Sequence, residues 1–288
     1  MTYQTLCATL LFLSCFIFDM KAQEGNVQSF KDTRVINTHS VETLPAHKLD
    51  VRIGHRFGDF AGDRGGWPNF YGLENAADVL IGADYGITDN LTVGVNRTKG
   101  VGILSRLING SLKYRLVRQQ KNGIPFSAAI VGEASVTTLP RSSNPNSILF
   151  FEDFGNRFIY SSQLLVSTVI ANNFTIQVSP GILHRNVVDN LDVNTFFNVG
   201  IQAKLQINRG FAVIFDSTFN FRDTEDLNGD FHIPLGFGFE FDTGGHVFQV
   251  NVTNATGLAS TDFIPNTTTD WLDGEFRLGF TISRLFNL

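Results

Sequence analysis

Ser162 and His184 have the side chains of a nucleophile and its general base. They fall in two neighbouring predicted strands joined by a turn at 171–173, which makes them diagonal neighbours near one rim of the sheet. Such a pair on a lipid-facing surface would suit a membrane phospholipase. No oxyanion hole or orienting group is identifiable, so we interpret the pair as an interfacial histidine beside a tolerated small residue, and we expect no enzyme activity.

Other motifs with possible chemistry are incomplete. Asp226-Leu227-Asn228-Gly229-Asp230 contains part of a calcium-loop pattern, but it lacks the full spacing and the terminal Glu, so an acidic surface turn is the better interpretation. Both cysteines, Cys7 and Cys15, lie in the N-terminal apolar run, which leaves the rest of the chain without a thiolate. The sequence therefore predicts no metal site, no cofactor and no catalytic residue.

Apolar and polar residues alternate with a period of two from His47 almost to the C-terminus. Phe219 and Phe221, for example, alternate with Thr218 and Asn220, as in a strand with one apolar face. About twelve such strands are expected from this pattern. Their predicted spans are 47–57, 76–86, 91–97, 107–118, 125–138, 157–170, 174–185, 195–207, 211–222, 231–242, 246–254 and 274–286.

Short and long connections alternate between the predicted strands. The short ones contain turn-forming Asn and Gly, as in Asn208-Arg209-Gly210, whereas the long ones include 58–75 and 255–273. This alternation is typical of a barrel with tight periplasmic turns and long extracellular loops. The sequence thus predicts an all-β fold, a single antiparallel transmembrane β-barrel over residues 47–288. A soluble barrel or sandwich is the alternative, because one apolar face per strand is common to both.

Aromatic residues recur beside the short turns and the C-terminus. At one common height they would form an aromatic girdle at the membrane interface, which a soluble sandwich does not need. The predicted girdle residues are Tyr85, Tyr114, Phe126, Phe174, Phe211, Phe241, Phe248 and Phe286.

The N-terminus resembles an export signal. Leu6 to Phe18 form an apolar run that is too short to cross a bilayer as a helix, and Lys21-Ala22-Gln23 follows it. We interpret residues 1–23 as a cleaved signal peptide, although the first five residues carry no Lys or Arg. The predicted location is the outer membrane, with lipid and lipopolysaccharide as contacts and insertion by the barrel-assembly machinery.

Residues 24–46 are polar and irregular, and we expect them to be periplasmic. They include Val35, Ile36 and Val41, which have apolar surface to bury, and Arg34 and Glu42, which need charge partners. The segment therefore predicts a plug that folds into or across the periplasmic opening and restricts it.

Charged residues on the polar faces of the strands would line the lumen. Their signs are mixed, which favours mutual neutralisation over a substrate site. A net charge of −5 argues against a nucleic-acid partner. The lumen-lining candidates are Arg52, Arg56, Asp78, Asp84, Lys113, Arg115, Glu133, Lys204, Asp216, Glu240 and Arg277.

Several stretches resemble an uncharacterised Bacteroidota-type family of outer-membrane β-barrel proteins, a domain of unknown function. Among them are Ile53-Gly54-His55-Arg56-Phe57-Gly58, Asp84-Tyr85-Gly86-Ile87-Thr88-Asp89 and Phe241-Asp242-Thr243-Gly244-Gly245. The resemblance covers nearly all of the chain after the N-terminal run. It implies a barrel in the cell envelope and transfers no catalytic residue.

A barrel of this size lies between the filled small barrels and the open porins. The sequence favours a narrow channel or transport barrel for small polar solutes. The alternative is a closed structural or surface-binding barrel that acts through its extracellular loops, and a lipid hydrolase is a third hypothesis. The channel and the closed barrel differ in whether the lumen is open.

Overall fold

The computed structural model describes residues 25–171, 173–189, 191–222 and 231–288. The predicted signal peptide, the Asp226–Asp230 turn and Asn172 lie outside these ranges. Two short strands, β1 (Arg34–Val35) and β2 (Thr38–His39), form a hairpin. The strands that follow are β3 (Lys48–Phe57), β4 (Ala76–Thr88), β5 (Leu91–Thr98), β6 (Leu107–Val117), β7 (Ser127–Thr137), β8 (Phe158–Ile170), β9 (Phe174–Arg185), β10 (Thr195–Asn208), β11 (Phe211–Phe221), β12 (Leu235–Asp242), β13 (His246–Thr253) and β14 (Arg277–Asn287).

The described parts of the long loops contain three short helices. One is α-helical, α1 (Ser260–Asn266), and two are 3-10 helices at Trp67–Gly72 and Phe154–Arg157. Among the residues that the structure describes, no helix is long and apolar enough to cross a membrane.

Strands β3 to β14 form a closed antiparallel barrel in which each strand pairs with the next along the chain. Pairing of β14 with β3, with Ile282 opposite Ile53, closes the ring. Closure leaves no open sheet edge, which a barrel in lipid requires because lipid offers the backbone no hydrogen-bond partner. The predicted twelve-stranded barrel is confirmed.

The predicted strand 231–242 begins four residues late, at Leu235. Pro234 has no N–H to donate to a neighbouring strand. The residues before it leave the sheet, and the backbone N–H of His232 donates to the carbonyl oxygen of Thr267, 3.0 Å away. Pro234 was the sequence signal for this boundary.

Large apolar side chains cover the outside of the barrel. Ile81 and Val95, for example, are 59% and 58% exposed. Such exposure is the expected pattern where the medium is lipid rather than water. The strand register places Phe241 beside both Phe211 and Phe248, so three predicted girdle residues form one row across adjacent strands.

Candidate functional site

The N-terminal segment lies inside the barrel. Ser29, Phe30 and every residue from 32 to 44 are buried, and their partners are on the inner faces of the strands. We call residues 29–44 the plug. The plug fills space that a pore would need, so its attachment to the wall bears directly on passage through the lumen.

Asp216 on β11 holds the tip of the plug hairpin. Its carboxylate accepts hydrogen bonds from the backbone N–H groups of Asn37 and Thr38 at 2.9 and 3.0 Å. The Thr38 hydroxyl donates a further bond of 2.7 Å. Ile36, at the same tip, has a positive φ of 54°, an unfavourable conformation for a β-branched residue. The contacts with the wall therefore support a strained turn.

Two wall glutamines bind the plug backbone as a neighbouring strand would. The Gln177 amide accepts from the N–H of Val41 and donates to the carbonyl of His39, both at 2.8 Å. The Gln249 amide accepts from Ile36 N–H at 3.3 Å and donates to the Arg34 carbonyl at 3.0 Å. The lumen-lining candidates that we named from the sequence were all charged residues, so they included neither glutamine. Their position on the polar face of a predicted strand was the available signal.

Lys113 on β6 donates to three plug carbonyl groups at once. Its ammonium nitrogen lies 2.9 Å from the carbonyl oxygens of Thr33 and Ser40 and 3.0 Å from that of Glu42. An ammonium group has three N–H donors, so this site satisfies the buried charge through oriented backbone dipoles. The plug backbone thus supplies three hydrogen-bond acceptors to the ammonium group of Lys113.

Charge pairs join the plug to the wall near the periplasmic end. Arg52 pairs with Asp32 of the plug, with Nη1 2.9 Å from Oδ2, and also with Asp50 of its own strand at 3.0 Å. Arg115 lies 3.1 Å from Glu42. These five side chains are almost fully buried, so each charge depends on its partner.

His39 and Arg34 of the plug meet Glu133 of β7. His39 Nε2 lies 3.0 Å and Arg34 Nη2 3.5 Å from Glu133 Oε1. Burial, reinforced by the nearby Arg34 charge and opposed by Glu133, lowers the pKa of His39 to about 4. At neutral pH, His39 is therefore an uncharged partner of Glu133.

Apolar packing also holds the plug. Phe30, Val35, Ile36 and Val41 pack in one cluster with apolar residues of the inner wall, which are Ala129, Val131, Leu165 and Ile214. The ammonium group of Lys204 lies 5.6 Å from the centre of the Phe30 ring.

Two lumen-facing glycines make room for the N-terminal segment. A Cβ atom at Gly86 would collide with the carbonyl oxygen of Pro45. At Gly236 it would lie 3.2 Å from the Ile36 side chain. The wall is thus shaped to accept this segment at both sites.

A second segment enters the lumen from the extracellular end. Residues 254–265 are almost all buried, as is Thr267. We call residues 254–269, which include α1, the constriction loop. The sequence analysis placed this region in an exterior loop, and the structure corrects that placement. Buried apolar residues Phe263 and Ile264 explain the inward fold, because water would otherwise surround them.

Two carboxylates anchor the constriction loop. Asp262 of the loop accepts from the N–H groups of Val101 and Gly102 at 2.9 and 3.0 Å. Asp78 of β4 accepts from Leu258 N–H of the loop at 2.8 Å. Burial, reinforced by the negative charge of Asp78, raises the pKa of Asp262 to about 6.

The plug and the constriction loop occupy the lumen at different depths. On β11, Asp216 holds the plug, whereas Asn220, nearer the extracellular end, donates to Ile264 of the loop at 2.5 Å. On β7, Glu133 contacts the plug, and Ser135 lies 2.5 Å from the Thr261 hydroxyl of the loop. The two segments therefore lie in series along the lumen.

The eleven predicted lumen residues all lie on the inner side of the barrel wall. Ten of them are buried, and Arg277 is half-buried at the extracellular end, where Nε lies 3.0 Å from the Thr256 hydroxyl. Arg56 donates to Asn37 of the plug at 2.5 Å, and Glu240 accepts from Gln249 at 3.1 Å. Most of these charges contact the plug or the constriction loop, which the sequence analysis did not predict.

The predicted neighbours Ser162 and His184 do lie diagonally on the outer face, with Tyr160 opposite His184. Both ring nitrogens of His184 have other partners. Nδ1 lies 2.6 Å from the Thr195 hydroxyl and Nε2 lies 2.9 Å from Asn186 Oδ1. The arrangement therefore gives Ser162 no hydrogen-bonded base. Within the described ranges there is also no group of three or more His, Cys, Asp and Glu side chains suited to a metal ion.

Comparison with known proteins gives the family and the fold. A family model described as a membrane bound beta barrel domain matches residues 30–286. The solved NanC porin is 12% identical, with a TM-score of 0.50 over 83% of this chain and 100% of that chain. The solved KdgM porin is 6% identical, with a TM-score of 0.50 over 83% of this chain and 99% of that chain. No curated protein matches the sequence. The chain belongs to the membrane bound beta barrel domain family DUF5777, and it has the barrel fold of outer-membrane porins.

Proposed function

We propose that the protein is an outer-membrane channel for small polar solutes that rests in a closed state. The observation that carries this proposal is the way the plug is held. Polar wall side chains such as Gln177, Lys113 and Asp216 bind its backbone, and water could replace these hydrogen bonds if the plug moved.

The chemistry of the inner wall supports polar rather than apolar cargo. Once the plug leaves, the wall would present mixed charges and amides to water, which small polar solutes can exchange for their hydration. We expect the surrounding medium to be outer-membrane lipid and lipopolysaccharide, after export and insertion by the barrel-assembly machinery.

A closed barrel that acts through its loops is the second candidate. The apolar cluster around Phe30 favours it, because buried apolar surface would hold the plug in place without any polar contact. The two candidates differ in one measurable property, which is whether the plug can be released while the barrel stays intact.

Solute uptake into proteoliposomes separates the candidates. Asp216→Ala removes the acceptor of three hydrogen bonds from the plug tip. A channel should admit a small sugar slowly in the parent protein and faster in this variant. Thr218→Ala is the matched control, because it alters the next inner-facing residue, whose hydroxyl has no partner in the described part of the chain.

Uptake that is undetectable in the parent protein and in Asp216→Ala, with both correctly inserted, would favour the closed barrel. Equal uptake by Asp216→Ala and Thr218→Ala would show that the plug tip does not control passage.

A further inference from the structure

The outer surface of the barrel has a step where β11 and β12 part. Their ladder ends at Ser217 opposite Leu235, yet β11 continues to Phe221. The segment before β12 turns inward, where His232 N–H bonds to Thr267 of the constriction loop. This step leaves a groove on the outer wall, which we call the lateral groove.

The lateral groove is apolar and of ligand size. Its cavity volume is about 520 Å³, and its walls include Phe215, Phe219, Phe231, Ile233 and Trp271. Small-molecule pockets in proteins have volumes of roughly 300–1,000 Å³. Phe215 and Phe219 belong to the outward-facing row of β11, so the groove opens toward lipid.

The groove lies in the extracellular half of the membrane. β11 begins at the periplasmic turn with Phe211 and ends near the extracellular loops at Phe221. The groove occupies the second half of this strand, and its polar residues His232 and Asp270 come from the loops beyond it. His232 Nδ1 lies 3.7 Å from Asp270 Oδ2, with both side chains partly exposed. An amphiphile could therefore place its chain among the phenylalanines and its head beside these two residues.

The floor of the groove is held rigidly. Asn254 is completely buried, and its amide accepts from Leu235 N–H at 2.8 Å. The same amide donates to the carbonyls of Ile233 and Thr269 at 3.0 and 2.9 Å. A preformed groove lowers the ordering cost of binding.

Trp271 forms part of the groove wall. Its ring stacks on that of Phe276, with ring centres 5.6 Å apart. A ligand in the groove would therefore lie beside the indole ring.

We propose that the lateral groove binds one acyl chain of an outer-leaflet lipid, with the chain against Trp271 and the head group beside His232 and Asp270. The plug takes no part in this site, although Asn254 of the constriction loop forms part of its floor.

The chain offers a direct reporter of occupancy. The sequence has two tryptophans, so Trp67→Phe leaves Trp271 as the single one. The protein in dodecyl maltoside micelles is titrated with dibromostearoyl phosphatidylcholine, whose bromines quench tryptophan fluorescence at contact. Binding in the groove predicts quenching that saturates.

Ser217→Phe in the same background fills the base of the groove and should weaken the quenching by about tenfold or more in apparent affinity. Ser162→Phe is the matched control, since Ser162 also faces outward but lies on β8, away from the groove. It should bind like the parent protein. Ser217→Leu serves as a smaller filling if the phenylalanine variant fails to fold.

Quenching that rises in proportion to the lipid-to-detergent ratio without saturation would overturn the proposal, because it reports only general lipid contact. Equal saturable quenching in the parent protein and in a folded Ser217 variant would also overturn it, since the bound chain would then lie elsewhere.

Discussion

Arg52 on the barrel wall and Asp32 in the plug form a buried charge pair, with Arg52 Nη1 2.9 Å from Asp32 Oδ2. Both side chains are under 5% exposed. Twenty residues separate them in sequence, and the chain between them folds back through the lumen. The pair therefore links β3, the first barrel strand, to the plug that precedes it in the sequence.

Removing one member of this pair should loosen the plug. Asp32→Asn leaves Arg52 with Asp50 as its remaining carboxylate, and breaking a buried pair typically costs about 3–5 kcal/mol. We therefore expect the free energy of plug docking to weaken by about 3 kcal/mol, the lower end of this range. Hydrogen exchange of the plug amides would measure the loss. Lys31→Gln is the control, because the Lys31–Asp242 pair at the mouth is 40% and 20% exposed and should contribute at most about 1 kcal/mol. Equal protection in both variants would contradict the role of the buried pair.

Acid should weaken the plug through His39. Its pKa is about 4 when the plug is docked, below the ordinary value of 6.5. A base with a lowered pKa binds its proton more readily when undocked, so the docked state loses stability as the pH falls from about 6.5 toward 4. At about pH 5 the loss should reach roughly 2 kcal/mol.

Hydrogen exchange of amides 36–42, corrected for intrinsic rates, would measure this effect. In His39→Gln, the difference in the protection of these amides between neutral and acidic pH should be much smaller than in the parent protein. Unchanged protection of these amides in the parent protein across this window would show that His39 does not control docking.

The membrane-spanning register can be tested on a single strand. Phe215→Arg places a charge near the middle of β11 on its lipid face, which should cost about 2–4 kcal/mol. Phe221→Arg, on the same face at the extracellular end, should cost about 1 kcal/mol or less. Unfolding from lipid vesicles measures both, and equal costs would argue against the depth assignment. Thr218 on the inner face is not a suitable control because it is fully buried against a filled lumen.

The orientation of the barrel predicts which loops face the medium. A cysteine at Ser143, an exposed residue between β7 and β8, should react with an impermeant maleimide on intact cells. A cysteine at Asn122, exposed in the turn between β6 and β7, should react only after lysis. The reverse labelling pattern would show that the barrel has the opposite orientation in the membrane.

The strands were predictable because alternation is a local property of the sequence. Counting along each strand was enough to place residues as distant as Arg52 and Asp216 on the same inner surface. The constriction loop was not predictable in this way, because it has no period. Phe263 and Ile264 were its only strong signal, as large apolar residues in a segment expected to lie in water.

The contacts of the plug also could not be predicted from the sequence. Arg34 and Glu42 could be expected to find partners, but Gln177 and Gln249 pair with backbone groups, which every residue carries. Only the folded register shows which plug amide meets which glutamine. Pro234, in contrast, was a local signal of where β12 begins.

The central claim is that the plug and the constriction loop restrict the lumen in series, and single-channel conductance in planar bilayers tests it most directly. The variants are deletion of 25–44, replacement of 257–267 by a short Gly-Ser linker, and both changes together. Because restrictions in series add, each single variant should conduct more than the parent protein but much less than the double variant, which should show large, stable openings. A properly inserted double variant that stays closed, or a plug deletion that already conducts as well as the double variant, would contradict the account.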